Sequence, residues 1–241
     1  MTVAGSGANE PGNSTWTLRE MIHAGLAAIL IVVLGAIQIG ALMVVFGIDP
    51  LAEIASPLLA VGIMLLEGLI IVPAWVWGPG RHGGGWRRLG FRGFEPRYLL
   101  LVLLAFVGVM AINGIWSLIS SELDLSGQPD MLPMFGEGLT GLALALVLGA
   151  GVVPVAEEVF FRGFLYQGLR DRWGVLGAVM ASSLVFAAVH MIPSVLLPIF
   201  IMSLLMTWVF ERSGSLWTCI LLHASINGLA FVAAYLAPSF A

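Results

Sequence analysis

The sequence predicts an all-α fold: a polytopic transmembrane helical bundle of about seven spans, bounded between six and eight. Three observations carry that expectation. Of the 241 residues, 59% are hydrophobic and only 10% charged, against roughly half and a quarter in ordinary soluble domains. The mean hydropathy is +1.01. Apolar stretches recur that are long enough, at about 1.5 Å of helical rise per residue, to cross a hydrocarbon core of ~30 Å. This composition excludes a soluble enzyme and a disordered chain. Ten basic residues against 14 acidic ones, a net charge of −4, imply no nucleic-acid partner. The single cysteine, Cys219, permits neither an intrachain disulfide nor a thiolate metal cage.

Taken in order, residues 1–20 read as a flexible cytoplasmic tail, polar and glycine-rich, without the basic-then-apolar order of a signal peptide. Residues 21–137 read as the N-terminal transmembrane helices with a basic cytoplasmic loop, and residues 138–241 as a helical core carrying the polar motifs. The expected spans are about 24–48, 58–77, 98–119, 139–161, 176–190, 195–210 and 216–236. The fifth and sixth are short and joined by a nearly apolar turn at 191–194, a pattern open to tilted or re-entrant segments.

All ten basic residues are arginine, and their placement sets the expected orientation. Arg19 precedes the first span; Arg81, Arg87, Arg88, Arg92 and Arg97 occupy the second loop; Arg170 and Arg172 follow the fourth span and Arg212 the sixth. The alternate loops carry Asp49 and Glu53, then Glu122, Asp124, Asp130 and Glu137, with no base. The N-terminus is therefore expected in the cytoplasm. Trp75, Trp77 and Trp86 flank the basic loop as interface anchors, and Gly83-Gly84-Gly85 reads as a flexible joint within it.

Ionisable groups at membrane depth cost at least ~2.5–3.5 kcal/mol each on insertion scales, so each needs a reason to be there. They are Glu67, the pair Glu157-Glu158 with Arg162, His190 and His223; Asn113 and Asn227 are their neutral counterparts. On a helix, Glu158 and Arg162 share a face and can pair. Glu157 is turned about 100° away and left without a local cation. Charges and Gly174 mark a chain reversal near residues 172–174, and Glu157 and His190 lie ~16 residues on either side of it. An antiparallel hairpin puts them level, as a carboxylate and imidazole suited to acid–base work. His223 and Asn227, four apart on the last span, can both donate to a developing oxyanion. The other reading of these residues is polar glue between helices. Glu67 reads as a helix-packing acid.

Two histidines and two glutamates are also zinc-ligand types. Yet no His-Glu-x-x-His is present, the histidines come from different helices, and Arg162 would repel a divalent ion. No metal or cofactor is expected, with zinc as the alternative.

Glu157-Glu158-x-x-x-Arg162, Phe186-x-x-x-His190 and His223-x-x-x-Asn227 together resemble the CPBP family of intramembrane glutamate endopeptidases. That family includes type II CAAX prenyl proteases and bacterial proteins linked to bacteriocin processing and immunity. The stretches Glu-Glu-Val-Phe-Phe-Arg-Gly-Phe-Leu-Tyr and Glu211-Arg-Ser-Gly-Ser-Leu-Trp add to the likeness, which covers about residues 138–230. The resemblance implies that Glu157 and His190 activate a water, that His223 and Asn227 hold the oxyanion, and that Glu158 and Arg162 support the site. It implies a membrane-associated peptide or protein as substrate and the lipid bilayer as surroundings. The lysine-free composition points to a prokaryotic cytoplasmic membrane and away from prenylated substrates. Counting residues from the arginine-bearing turns, the site is expected to open toward the cytoplasm. A non-catalytic scaffold or immunity factor, a metal-dependent protease and a small-molecule transporter using Glu67 and Asn113 are the other readings.

Overall fold

The computed structural model describes residues 16–49, 57–125 and 131–237. Residues 1–15 of the expected tail, together with Glu53 and Asp130, lie outside the described residues. The described chain is helical, with no strand among the described residues.

Helix α1 (Leu18–Val45) starts at a capping box: the Glu20 N–H donates to Thr17 Oγ1 (3.2 Å) and the Thr17 N–H to Glu20 Oε2 (2.7 Å). Just before it, Trp16 is fully buried, stacks on Phe164 at 4.9 Å, and donates its indole N–H to the Phe164 carbonyl (2.9 Å). Residues 16–20 of the expected tail are therefore held against the core and in the first turn of α1. A lone tryptophan in polar sequence gave no periodic signal, yet its large apolar ring finds a core site.

The second span is α2 (Pro57–Gly68) followed by α3 (Ile71–Trp77). Two short turns, α4 (Pro79–His82) and α5 (Gly85–Arg88), build the basic loop. Gly83, Gly84 and Gly85 have φ of 73°, 87° and 60°, a run that side chains would strain. Helix α6 (Arg97–Glu122) is the third span.

The fourth and fifth spans form one helical path, Gly138–Val189. It comprises α7 (Gly138–Val147), a π-helical stretch (Leu148–Val152), α8 (Val153–Glu158), a second π stretch (Val159–Tyr166) and α9 (Gln167–Val189). At Gly174 the backbone leaves helical space, with φ 69° and ψ −179°. The chain reverses there: Phe161 meets Phe186 edge-on at 4.9 Å. After a turn with Met191 at φ 53°, α10 (Leu196–Ser213) and α11 (Leu216–Leu236) complete the bundle.

Among the described residues, six helical segments are long and apolar enough to cross a membrane, the Gly138–Val189 path holding two of the seven sequence spans. The chain is an integral membrane protein. The arginine-bearing turns lie at one end of the bundle. Residues 46–49, 123–125, 131–137 and 190–195 lie at the other, acidic end, which carries Asp49, Glu122, Asp124 and Glu137. At the arginine end the aromatic anchors cluster: Trp75 on Trp86 (4.4 Å), Trp86 on Phe91 (5.6 Å) and Phe91 on Trp217 (5.1 Å).

Candidate active site

Buried at the junction of α8 and the second π stretch, Glu158 is 0% and Arg162 1% exposed. Arg162 Nη1 donates to Glu158 Oε1 (2.8 Å) and Nη2 to Ser203 Oγ on α10 (2.8 Å). The guanidinium also lies 4.5 Å over the Phe186 ring. Glu158 Oε1 accepts a second hydrogen bond, from His223 Nδ1 (2.9 Å). A carboxylate can only accept here, so His223 donates from Nδ1 and turns Nε2 toward Glu157, whose Oε2 is 3.6 Å away. The histidine bridges the two carboxylates.

His190 Nδ1 donates to the Phe186 carbonyl (2.8 Å). A carbonyl cannot donate, so in the neutral imidazole Nε2 holds the lone pair. Asn227 donates from Nδ2 to the Gly149 carbonyl in the first π stretch (2.9 Å), leaving its second amide proton and its oxygen for other partners.

Glu157, His190, His223 and Asn227 line one cavity of about 520 Å³. The equal-depth expectation fits the hairpin, because Phe161 and Phe186, 13 residues before and 12 after Gly174, meet across it. Glu157 and His190 nevertheless form no direct hydrogen bond or ion pair among the described residues. The histidine beside Glu157 is His223, which spacing alone had grouped only with Asn227.

Helix α6 supplies a wall that motif spacing did not single out as part of the site. Asn113, Trp116, Ser117 and Ser120 line the cavity, at offsets of 3, 4 and 7 residues that put them on one helix face. Trp116 Nε1 donates to the Ser194 carbonyl (2.9 Å), which fixes the turn following His190. That polar stripe in an apolar span was the available signal. Glu67 on α2 interacts electrostatically with Glu157, so it neighbours the site from outside the cavity.

The cavity's lining comes from the acid-end halves of α6, α10 and α11, reaching Ser120, Val195 and Ala233.

Residues 138–229 match the family model described as type II CAAX prenyl endopeptidase Rce1-like. Over those residues the chain is similar to that family. The matched stretch holds Glu157, Glu158, Arg162, His190, His223 and Asn227, while the α6 wall lies outside it. A curated relative is the UPF0177 protein YxdF of Lactococcus lactis subsp. lactis (strain IL1403), 32% identical over 111 residues, 46% of this chain. The chain spans 58% of that relative's length. No solved structure matches the chain.

Zinc does not fit the side chains of this site. Glu158 Oε1 is already shared by Arg162 and His223, the guanidinium adds a repelling charge, and no group of three or more His, Cys, Asp or Glu able to hold an ion occurs among the described residues.

Proposed function

We propose that this chain is an intramembrane glutamate endopeptidase that hydrolyses a peptide bond in a membrane-associated substrate. The observation that carries the reading is the convergence of Glu157, His190, His223 and Asn227 on one cavity within apolar spans. His223 there is held by the buried Glu158–Arg162 pair. Charged groups so placed need a function or a water-filled space, and a hydrolase needs both.

Water sits between Glu157 and His190 Nε2. Glu157 takes a proton as the oxygen attacks the peptide carbonyl, and His190 accepts a hydrogen bond that orients the same water. The second amide proton of Asn227 stabilises the oxyanion, joined by His223 acting as the imidazolium, with Nδ1–H on Glu158 and Nε2–H on the oxyanion. The proton held by Glu157 passes to the departing amine as the C–N bond breaks. Glu158 and Arg162 are positioning residues: they fix the imidazole of His223 without touching the reacting atoms.

The test is digestion of a quenched fluorescent hydrophobic peptide by the purified protein in detergent, wild type against Glu157→Gln. Loss of ~10²–10⁴ in kcat with an unchanged unfolding midpoint is expected. Equal rates for the two proteins would refute the assignment. A wild type inert toward every membrane peptide offered would favour the scaffold reading.

A further inference from the structure

We propose that the basic loop holds an anionic phospholipid: the recess formed by Arg87, Arg88 and Arg92 takes the phosphodiester of its headgroup, beside the tryptophans of the membrane surface. The inference is independent of the endopeptidase reading.

The pairing of the arginines separates a binding site from a signal of orientation. An excess of arginine in a short loop orients a span by count alone, with no need for the charges to gather. The salt bridges at this end of the bundle use other cations: Glu20 meets His82 (3.1 Å) and Arg81 (3.8 Å), Glu95 meets Arg97 (3.0 Å), and Glu211 meets Arg170 (2.6 Å). Arg87, Arg88 and Arg92 form no salt bridge among the described residues. Yet these three, with Gly84, line one recess of about 420 Å³. Like charges around one space repel, and an anion with several oxygens seated between them turns that repulsion into charge-assisted hydrogen bonds.

The loop holds two of the three guanidinium groups in place. Arg88 Nη1 donates to the His82 carbonyl (2.8 Å) and Arg92 Nε to the Arg87 carbonyl (3.0 Å). A guanidinium carries five N–H groups, so each keeps donors for a ligand. Gly84, at φ 87°, leaves room for the Arg88 stem, because a Cβ there would meet Arg88 Cδ at 3.0 Å and its Cβ at 3.2 Å. Planar forks braced in this way fit the paired oxygens of a phosphate.

Aromatic rings border the recess. Trp86 immediately precedes Arg87, and Phe91 immediately precedes Arg92; the two rings lie 5.6 Å apart in the row that runs on to Trp217. Trp86 is 45% and Trp217 48% exposed, so about half of each residue is left uncovered by protein next to concentrated positive charge. Tryptophans between spans sit at headgroup level, and a basic recess at that level is where a phosphate-bearing lipid head binds. A soluble anion would have no use for the rings.

The recess is also tied to the bundle. The carbonyls of Arg88, Gly90 and Arg92 accept from Gln167 Nε2 (3.1 Å), the Leu216 N–H (2.8 Å) and Ser215 Oγ (2.5 Å). A headgroup that binds only the folded loop therefore stabilises the starts of α9 and α11 with it.

The experiment is thermal unfolding of the purified full chain in micelles of a neutral detergent, read by tryptophan fluorescence. Short-chain phosphatidylglycerol, short-chain phosphatidylcholine and inorganic phosphate are added in separate arms. Phosphatidylglycerol at about a hundredfold excess over its dissociation constant should raise the midpoint by roughly 5–10 °C, and the other two should not. The Arg87 side chain braces no backbone group, so Arg87→Gln should fold like wild type and lose most of the rise; Arg92→Gln should lose it too. Arg97→Gln, outside the recess, should keep it. Equal rises with the two lipids would overturn the proposal. So would a rise reproduced by inorganic phosphate, which would make the occupant a free anion, or an equal loss in Arg97→Gln, which would make the attraction diffuse. None of these readouts depends on turnover, so an inert protein that still responds to phosphatidylglycerol would sink the endopeptidase reading alone.

Discussion

Replacing Arg162 by methionine removes the guanidinium while keeping an unbranched side chain of similar reach. Glu158, fully buried, then loses the 2.8 Å charge-assisted bond from Nη1. Ser203 Oγ loses the partner that donates to it at 2.8 Å, and the Phe186 face loses its cation. Breaking a buried ion pair from one side costs about 3–5 kcal/mol, because the remaining charge stays dehydrated. His223 Nδ1 still donates to Glu158, which holds the loss to that range rather than above it. For a chain of this size, 1 kcal/mol corresponds to roughly 2–4 °C in unfolding midpoint, so a drop of about 6–20 °C is expected. Intrinsic fluorescence of the eight tryptophans during thermal unfolding in detergent is the assay. Adding Glu158→Gln should recover most of the loss, since a neutral amide tolerates burial better than a lone carboxylate. Arg162→Lys should recover less, because a single ammonium lacks the planar fork that reaches Glu158 and Ser203 together. An Arg162→Met midpoint equal to wild type, or a double variant no better than the single, would refute the reasoning.

Asn227→Ala should lower kcat by ~10²–10³ with little change in KM, the usual loss for one oxyanion donor, as measured by steady-state peptide hydrolysis. Trp16→Ala should cost about 3–5 kcal/mol of stability in the same thermal assay, since it empties a fully buried site against Phe164; truncation of residues 1–15 alone should leave Trp16 seated and the midpoint unchanged. Exhaustive chelation should leave the hydrolysis rate unchanged, because Glu158 and His223 are committed to each other and to Arg162; activity lost to a chelator and restored by zinc would refute this.

The sequence made the spans legible because apolar length is a coarse signal that packing does not override. It also made the Glu158–Arg162 pair legible, being local on one helix, and the reversal at Gly174, where φ of 69° suits glycine. What it could not supply were relations set by packing between distant elements. His223 and Glu158 are 65 residues apart, and four-residue spacing associates His223 with Asn227 instead. The α6 wall was hidden because that span reads as apolar around most of its circumference, so its few polar residues looked like isolated exceptions. The void itself was equally illegible: helix lengths give depth, but a cavity is defined by the neighbours that fail to fill it.

The irregular backbone around Pro154 joins these threads. In a π register each N–H donates to the carbonyl five residues earlier, so the donor for Gly149 would be residue 154. Proline has no N–H to give. Asn227 Nδ2 supplies a hydrogen bond to that carbonyl from α11 (2.9 Å), and this bond orients the amide proposed as an oxyanion donor. A helix interruption at membrane depth, tolerable only where its polar groups find partners or line a cavity, thus positions a candidate oxyanion donor. Pro154→Ala should separate stability from activity: the restored N–H can compete for Gly149, so the unfolding midpoint should hold or rise. Asn227, no longer anchored, should lose most of its contribution, so kcat should fall toward the Asn227→Ala value. A Pro154→Ala enzyme with full turnover would show that the amide is oriented by something other than the carbonyl the proline leaves open.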